Sequence, residues 1–189
     1  KGTDREGTKI RIRQLPPADY RDDVEERIKL HLGSGAQNWS GWINIDKYEG
    51  GGSNHPDITG SIIDLPQFDD DSVDEIMLIH VFEHLYTWEA LPAVKEWYRI
   101  LKPGGILTIE VPCLNKILKH YEDGVENPYM TIYGIFGEQC YEEPEMVHKW
   151  CYSKKALMRV FQKGGFSRIG VADPVYHLIE RDMRVIGVK

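Results

Sequence analysis

Three groups of residues in this chain have types and spacings that could do chemistry. The first begins with Gly33-Ser34-Gly35, directly after an apolar run that ends at Leu32. Glycines there let backbone amides approach a ligand closely, and Ser34 adds a hydroxyl. The same motif also serves as a plain tight turn. Asp46 and Asp64 each close a later apolar run. At a strand end, one carboxylate can accept from both hydroxyls of a ribose and another from the amino group of an adenine. Each can equally be a surface acid or a turn cap. The second group is His80-Val81-Phe82-Glu83-His84, which matches H-x-x-E-H, a zinc peptidase pattern. That chemistry wants both histidines on one helical face, a Glu as base and a third ligand. His80 falls at a strand-to-helix junction, so the two histidines would not share a regular face. The third group is Cys140, His148 and Cys151. Its spacing matches no zinc pattern, and free cysteines are commonly buried packing. No metal site is expected.

The elements that must position these residues alternate along the chain. Short apolar runs over 28–32, 42–46, 57–63, 75–80 and 106–111 read as strands, and 166–172 and 183–188 as two more. From 82 to 101 the spacing turns helical, with Leu85, Trp88, Leu91, Val94, Trp97 and Leu101 three or four apart. Lys102-Pro103-Gly104-Gly105 is expected to stop that helix. Residues 114–121 predict another helix. So do 153–163, capped by Ser153 and closed by Gly164-Gly165. Before all of these, 9–15 predicts an edge strand and 19–27 a short helix capped by Asp19. Strands alternating with helices predict an α/β chain with a mostly parallel sheet, whose ligands bind outside the carboxyl ends of the strands. Gly33, Asp46, Asp64, His80 and Pro112 fall at those ends. Residues 121–152 hold Tyr121, Tyr129, Tyr133, Phe136, Tyr141, Trp150 and Tyr152 among glycines and prolines. So long an aromatic insert predicts a lid or substrate-binding loop, or else a small core or dimer surface of its own.

Composition narrows the classes. The 189 residues suit one domain, with 41% hydrophobic and 28% charged residues. Asp plus Glu number 30 against 23 Lys plus Arg, a net charge of -7. That balance argues against a nucleic-acid partner. No run reaches the ~20 apolar residues of a membrane span. Three cysteines without a C-x-x-C pair read as reduced thiols in a cytoplasmic protein.

At this point a family resemblance emerges. Leu30-His-Leu-Gly-Ser-Gly35, Trp42-Ile-Asn-Ile-Asp46, Ile63-Asp-Leu-Pro66, Phe68-Asp-Asp-Asp-Ser-Val-Asp-Glu-Ile76, His80-Val-Phe-Glu-His-Leu85 and Arg99-Ile-Leu-Lys-Pro-Gly-Gly105 resemble the class I S-adenosylmethionine-dependent methyltransferases. Within them the resemblance is to the small bacterial type linked to surface-polysaccharide synthesis. It is dense over 28–112 and continues in Phe136-Gly137, His148-Lys149-Trp150 and Gly164-Gly165-Phe166.

The resemblance implies a Rossmann-like three-layer sandwich with a seven-stranded sheet. Residues 1–27 would be an N-terminal extension and 28–189 the methyltransferase domain. S-adenosyl-L-methionine would be the cofactor. Gly33, Ser34 and Gly35 would face its methionine part, with Leu32 beside them. Asp46, with Lys47 next to it, would bind the ribose, and Asp64 and Leu65 would flank the adenine. His80 and Val81 would line the cleft. Only six residues separate Gly35 from Trp42, so the family's helix there must shrink to a turn.

The expected activity is methyl transfer to oxygen or nitrogen of a small, polar, sugar-like acceptor. His80, His84 and His148 are the candidate bases, because imidazole titrates near neutral pH. A homodimer is left open. A protein of this fold that binds the cofactor or a nucleoside without turnover is the alternative. A dinucleotide oxidoreductase ranks third, since Asn38 stands where G-x-G-x-x-G needs its last glycine.

Overall fold

The computed structural model describes residues 27–49, 55–139 and 144–189. The edge strand and helix expected before residue 27 lie outside them, as does Cys140. Seven strands form one sheet: β1 (Lys29–Leu32), β2 (Ile43–Asp46), β3 (Ile58–Thr59), β4 (Val73–Ile79), β5 (Leu101–Pro112), β6 (Arg168–Ala172) and β7 (Asp182–Val188). Their order is β3-β2-β1-β4-β5-β7-β6. The first five run parallel, and β7 enters antiparallel between β5 and β6. The helices are α1 (Thr87–Ile100), α2 (Leu114–Glu122), α3 (Ile132–Phe136) and α4 (Lys154–Gly164).

Strand alternation divides the sheet into two unlike faces. Leu30, Leu32, Ile76, Leu78, Leu107, Ile109, Val111, Met183 and Val185 are fully buried and pack with α1 and α4 into one core. Gly164 lets those helices touch, since a Cβ there would lie 2.4 Å from Val94. The other face is polar. His31, Met77 and Thr108 form one row across it, and Glu110 and Arg184 pair in the next. Loops close over these residues. Trp39 stacks on His31 with ring centroids 4.0 Å apart, and Tyr176 lies against Trp39. Glu110 accepts from the backbone amides of Val175 and Tyr176 and pairs with Arg184.

Three expectations need correction. The run over 57–63 forms only the two residues of β3, because Gly60 and Ser61 turn the chain away and the Gly60 amide bonds Asp46 O at 2.8 Å. The helix over 82–101 divides into a 3-10 turn (Phe82–His84) and α1. Leu85 between them is extended (φ -84°, ψ 142°), and Glu89 bonds the Tyr86 amide to begin α1. Lys102-Pro103-Gly104-Gly105 follows the end of α1 at Ile100, as expected of a helix stop, but it lies within the fifth strand and not before it. β5 begins at Leu101, and these residues bulge out between the pairs Val73–Leu101 and Glu75–Ile106. The reduced first crossover is as expected: residues 33–42 contain no helix. Ser153 caps α4 through the Ala156 amide, and Gly165 closes it at φ +117°.

Candidate active site

The carboxyl ends of β1, β2 and β4 meet at Gly33. The residue has φ +71°, and a Cβ on it would lie 2.4 Å from a methyl of Val81. Glycine is therefore required twice, for the turn and for the close approach of the β4 end. Gly35 (φ +54°) faces open space. Its amide donates to Asp46 Oδ2 at 2.8 Å, while Tyr48 N donates to Oδ1 at 3.0 Å. Asp46 thus braces the glycine loop from the end of β2 and keeps lone pairs free on a partly exposed carboxylate. Ser34 is buried, and its hydroxyl has no hydrogen-bond partner among the described residues.

Other expected residues divide into surface and core. Lys47 is exposed, its ammonium 4.7 Å from the Tyr48 ring. Asp64 is exposed too. Leu65 is fully buried, and its amide donates to Glu96 Oε1. Leu32 is likewise fully buried. For these two leucines only backbone, and no side chain, can meet a ligand.

Just past β4, His80 adopts a left-handed conformation (φ +52°), uncommon for a side chain of its kind. The turn holds its ring between two acids. Nε2 lies 3.0 Å from Asp182 Oδ2, and Nδ1 lies 3.1 Å from Glu83 Oε1. Burial alone would depress this imidazole, but Glu83 and Asp182 outweigh burial and raise it to about 9. The charges of those acids hold His80 as a cation at neutral pH. Asp182 begins β7 and also takes Arg181 through two bonds of 2.6 and 2.9 Å. Burial pushes its carboxyl up, but His80 and Arg181 prevail and hold it at about 2.

The insert returns to the same place. Its backbone amides at Lys149 and Trp150 donate to Glu83 O. Tyr48 donates to Glu145 Oε1 at 2.5 Å, tying the loop after β2 to the insert. These contacts set His148 edge-to-face on His84, with ring centroids 4.9 Å apart. His148 Nε2 lies 4.0 Å from Glu83 Oε1. Burial pushes the His148 imidazole below its usual range, although Glu83 pulls the other way. Glu83 is 1% exposed. Its approach to His80 lacks hydrogen-bond alignment, and neither carboxylate oxygen has an aligned partner among the described residues.

His80, His84 and His148 therefore come together, joined by Glu83, Asp182 and His177. The His177 ring lies 4.0 Å from that of His80. Asp182 and His177 were not singled out from the sequence. An Arg-Asp pair opening an apolar last strand was the one available signal. Cys151 belongs to neither group of close ligating atoms, and its thiol is pushed up to about 12, chiefly by burial and next by the charge of Glu83.

Residues 40–109 match the family described as "Methyltransferase domain". No curated protein matches the chain. Solved structures do. A SAM-dependent methyltransferase from Archaeoglobus fulgidus is 16% identical with a TM-score of 0.58, covering 86% of each chain. One from Methanosarcina mazei is 17% identical with a TM-score of 0.59, covering 87% of this chain and 93% of its own. One from Aquifex aeolicus is 18% identical with a TM-score of 0.52, covering 86% and 82%. No described helix is long and apolar enough to cross a membrane.

Proposed function

We propose that this chain is a class I S-adenosylmethionine-dependent methyltransferase that transfers a methyl group to oxygen or nitrogen of a small polar acceptor held beside the His80–Glu83–His84–His148 cluster, a reading supported by the methyltransferase-domain match over residues 40–109 and by the shared fold. The observation that carries the reading is the junction at Gly33. It packs the glycine loop, braced by Asp46, against Val81, the residue between His80 and the 3-10 turn that carries Glu83 and His84, at the same end of the sheet. The residues suit the cofactor: a buried, unpartnered Ser34 hydroxyl, an open Gly35 and an Asp46 carboxylate with spare lone pairs. Gly33, Ser34 and Gly35 would hold its amino-acid part, Asp46 the ribose hydroxyls and Asp64 the adenine. S-adenosylmethionine supplies, when bound, an electrophilic methyl on a sulfonium.

The chain's own task is then to align an acceptor, exclude water and accept a proton. Both ring nitrogens of His80 face carboxylates, so His80 serves better as a binding cation than as a base. His84 Nδ1 meets Val147 O at 3.2 Å, and His148 Nδ1 meets Gly134 O at 3.3 Å. A carbonyl only accepts, so each Nδ1 carries the hydrogen, and the lone pair available to a proton lies on Nε2. His148 or His84 is the proton acceptor for a hydroxyl or amine. The insert acts as the lid, with exposed Phe136 and Trp150 offered to a sugar-like ring. The acidic net charge supports a small acceptor in place of a nucleic acid.

Calorimetric titration with S-adenosylhomocysteine tests the cofactor site. Binding is expected, and Asp46→Ala should lose about 1–3 kcal/mol, the cost of unpaired ribose hydroxyls. Unchanged affinity in that variant removes Asp46 from the site. Labelled-methyl transfer to a panel of hydroxyl and amine acceptors tests the reaction. Tight binding with no transfer would favour a non-catalytic cofactor-binding protein.

A further inference from the structure

We propose that Glu83, His84 and His148 bind one divalent transition-metal cation. One ligand atom from each of the three lies within 4.8 Å of the others. Bonds of about 2.0–2.2 Å to a shared ion need only small side-chain shifts from there. The His148 ring is already turned for it, with Nε2 4.0 Å from Glu83 Oε1. Each of the two imidazoles gives its Nδ1 hydrogen to a backbone carbonyl, of Val147 and of Gly134, and leaves the Nε2 lone pair free. Such outward hydrogen bonds set the tautomer and orientation of metal-bound imidazoles. Glu83 gives the independent observation. It is 1% exposed, its Oε1 faces the His80 cation at 3.1 Å, and its Oε2 has no hydrogen-bond partner among the described residues. A carboxylate buried that deeply with one oxygen unpartnered is stabilised by coordination to a cation.

His80, His177 and Asp182 form a second group of the same composition, but its acid is already engaged. Both oxygens of Asp182 take Arg181, and Oδ2 also accepts from the Leu178 amide and faces His80. The cation is therefore assigned to the Glu83 group. Two imidazoles and a carboxylate suit zinc, manganese, iron or cobalt better than magnesium or calcium. Three protein ligands leave a position open to an incoming oxygen or nitrogen. The proposed use of that position, though not the binding itself, rests on the methyltransferase reading. With the cation bound the Nε2 atoms are ligands, so the cation replaces His84 and His148 in activating the acceptor: it would lower the pKa of a coordinated hydroxyl or amine, whose proton passes to solvent. His80 is not a ligand, so the H-x-x-E-H segment acts differently from its peptidase counterpart.

The test uses the full chain, dialysed against EDTA and titrated with zinc chloride by calorimetry and with cobalt chloride by visible absorption. One equivalent should bind. His148→Ala should weaken binding at least ~10-fold, with the circular dichroism spectrum checking its fold. His177→Ala should leave binding unchanged. Absence of uptake by the wild-type chain overturns the proposal, and so does binding lost in His177→Ala but kept in His148→Ala. A parallel titration with S-adenosylhomocysteine separates the two readings. Cofactor binding without metal uptake sinks only the metal site, and metal uptake without cofactor binding sinks only the methyltransferase site.

Discussion

At Gly33 a single added methyl would land inside Val81. Gly33→Ala must also hold a left-handed backbone that costs a side-chain-bearing residue about 1–3 kcal/mol. Urea unfolding should show a loss of at least that size, and adding Val81→Ala should recover the steric part while leaving the backbone part. An unchanged midpoint for the single variant would show that Val81 simply moves aside. Gly33 and Asp46 were legible because each closes an apolar run, and strand ends are where a parallel sheet places its ligands. His80 was legible for the same reason, but its partners were not. Asp182 lies 102 residues further along and bonds it only because β7 enters the sheet beside β5.

At the scale of elements, α1 shows how a helix contributes to the site without entering it. Trp97 is fully buried on α1, and its indole N–H donates to Ile62 O at 2.7 Å. One side chain thus anchors the loop after β3 to the helix after β4. Trp97→Ala should cost about 3–5 kcal/mol, the usual range for emptying a large aromatic site. Trp97→Phe keeps much of the packing and should lose nearer 1 kcal/mol, chiefly the hydrogen bond. Equal losses in the two variants, measured by chemical denaturation, would show that the hydrogen bond dominates. The spacing of Val94, Trp97 and Leu101 announced a helix. It could not announce the break at Leu85, because Leu85 fits either side of that break. The break follows from burying Phe82 in the core while Glu83 and His84 stay at the strand end.

Across the whole molecule, the chain Glu83–His80–Asp182–Arg181 joins the two halves of the sheet at the site. Asp182→Asn should cost about 3–5 kcal/mol at neutral pH, since it removes the buried carboxylate that Arg181 and His80 share. The pH dependence has a definite sign. The folded carboxyl sits at about 2, below the unfolded value of about 4. Its stabilisation is therefore complete above about pH 4 and fades as pH falls toward 2. Urea unfolding at pH 7 and pH 3 should show the gap between wild type and variant narrowing at the lower pH. A constant gap would mean that the carboxylate charge plays no part. The sequence by itself determined the alternation of strands and helices, the missing first crossover helix and the positions of the glycine loop and the acids. All of these follow from local periodicity and chain length. Only the tertiary structure decided that Leu32 and Leu65 turn inward, that a distant Asp182 grips His80, and that the insert sets His148 against Glu83 and His84. Those contacts join residues with no shared local pattern, and they exist only once strand order and the path of the insert have brought remote segments to one end of the sheet.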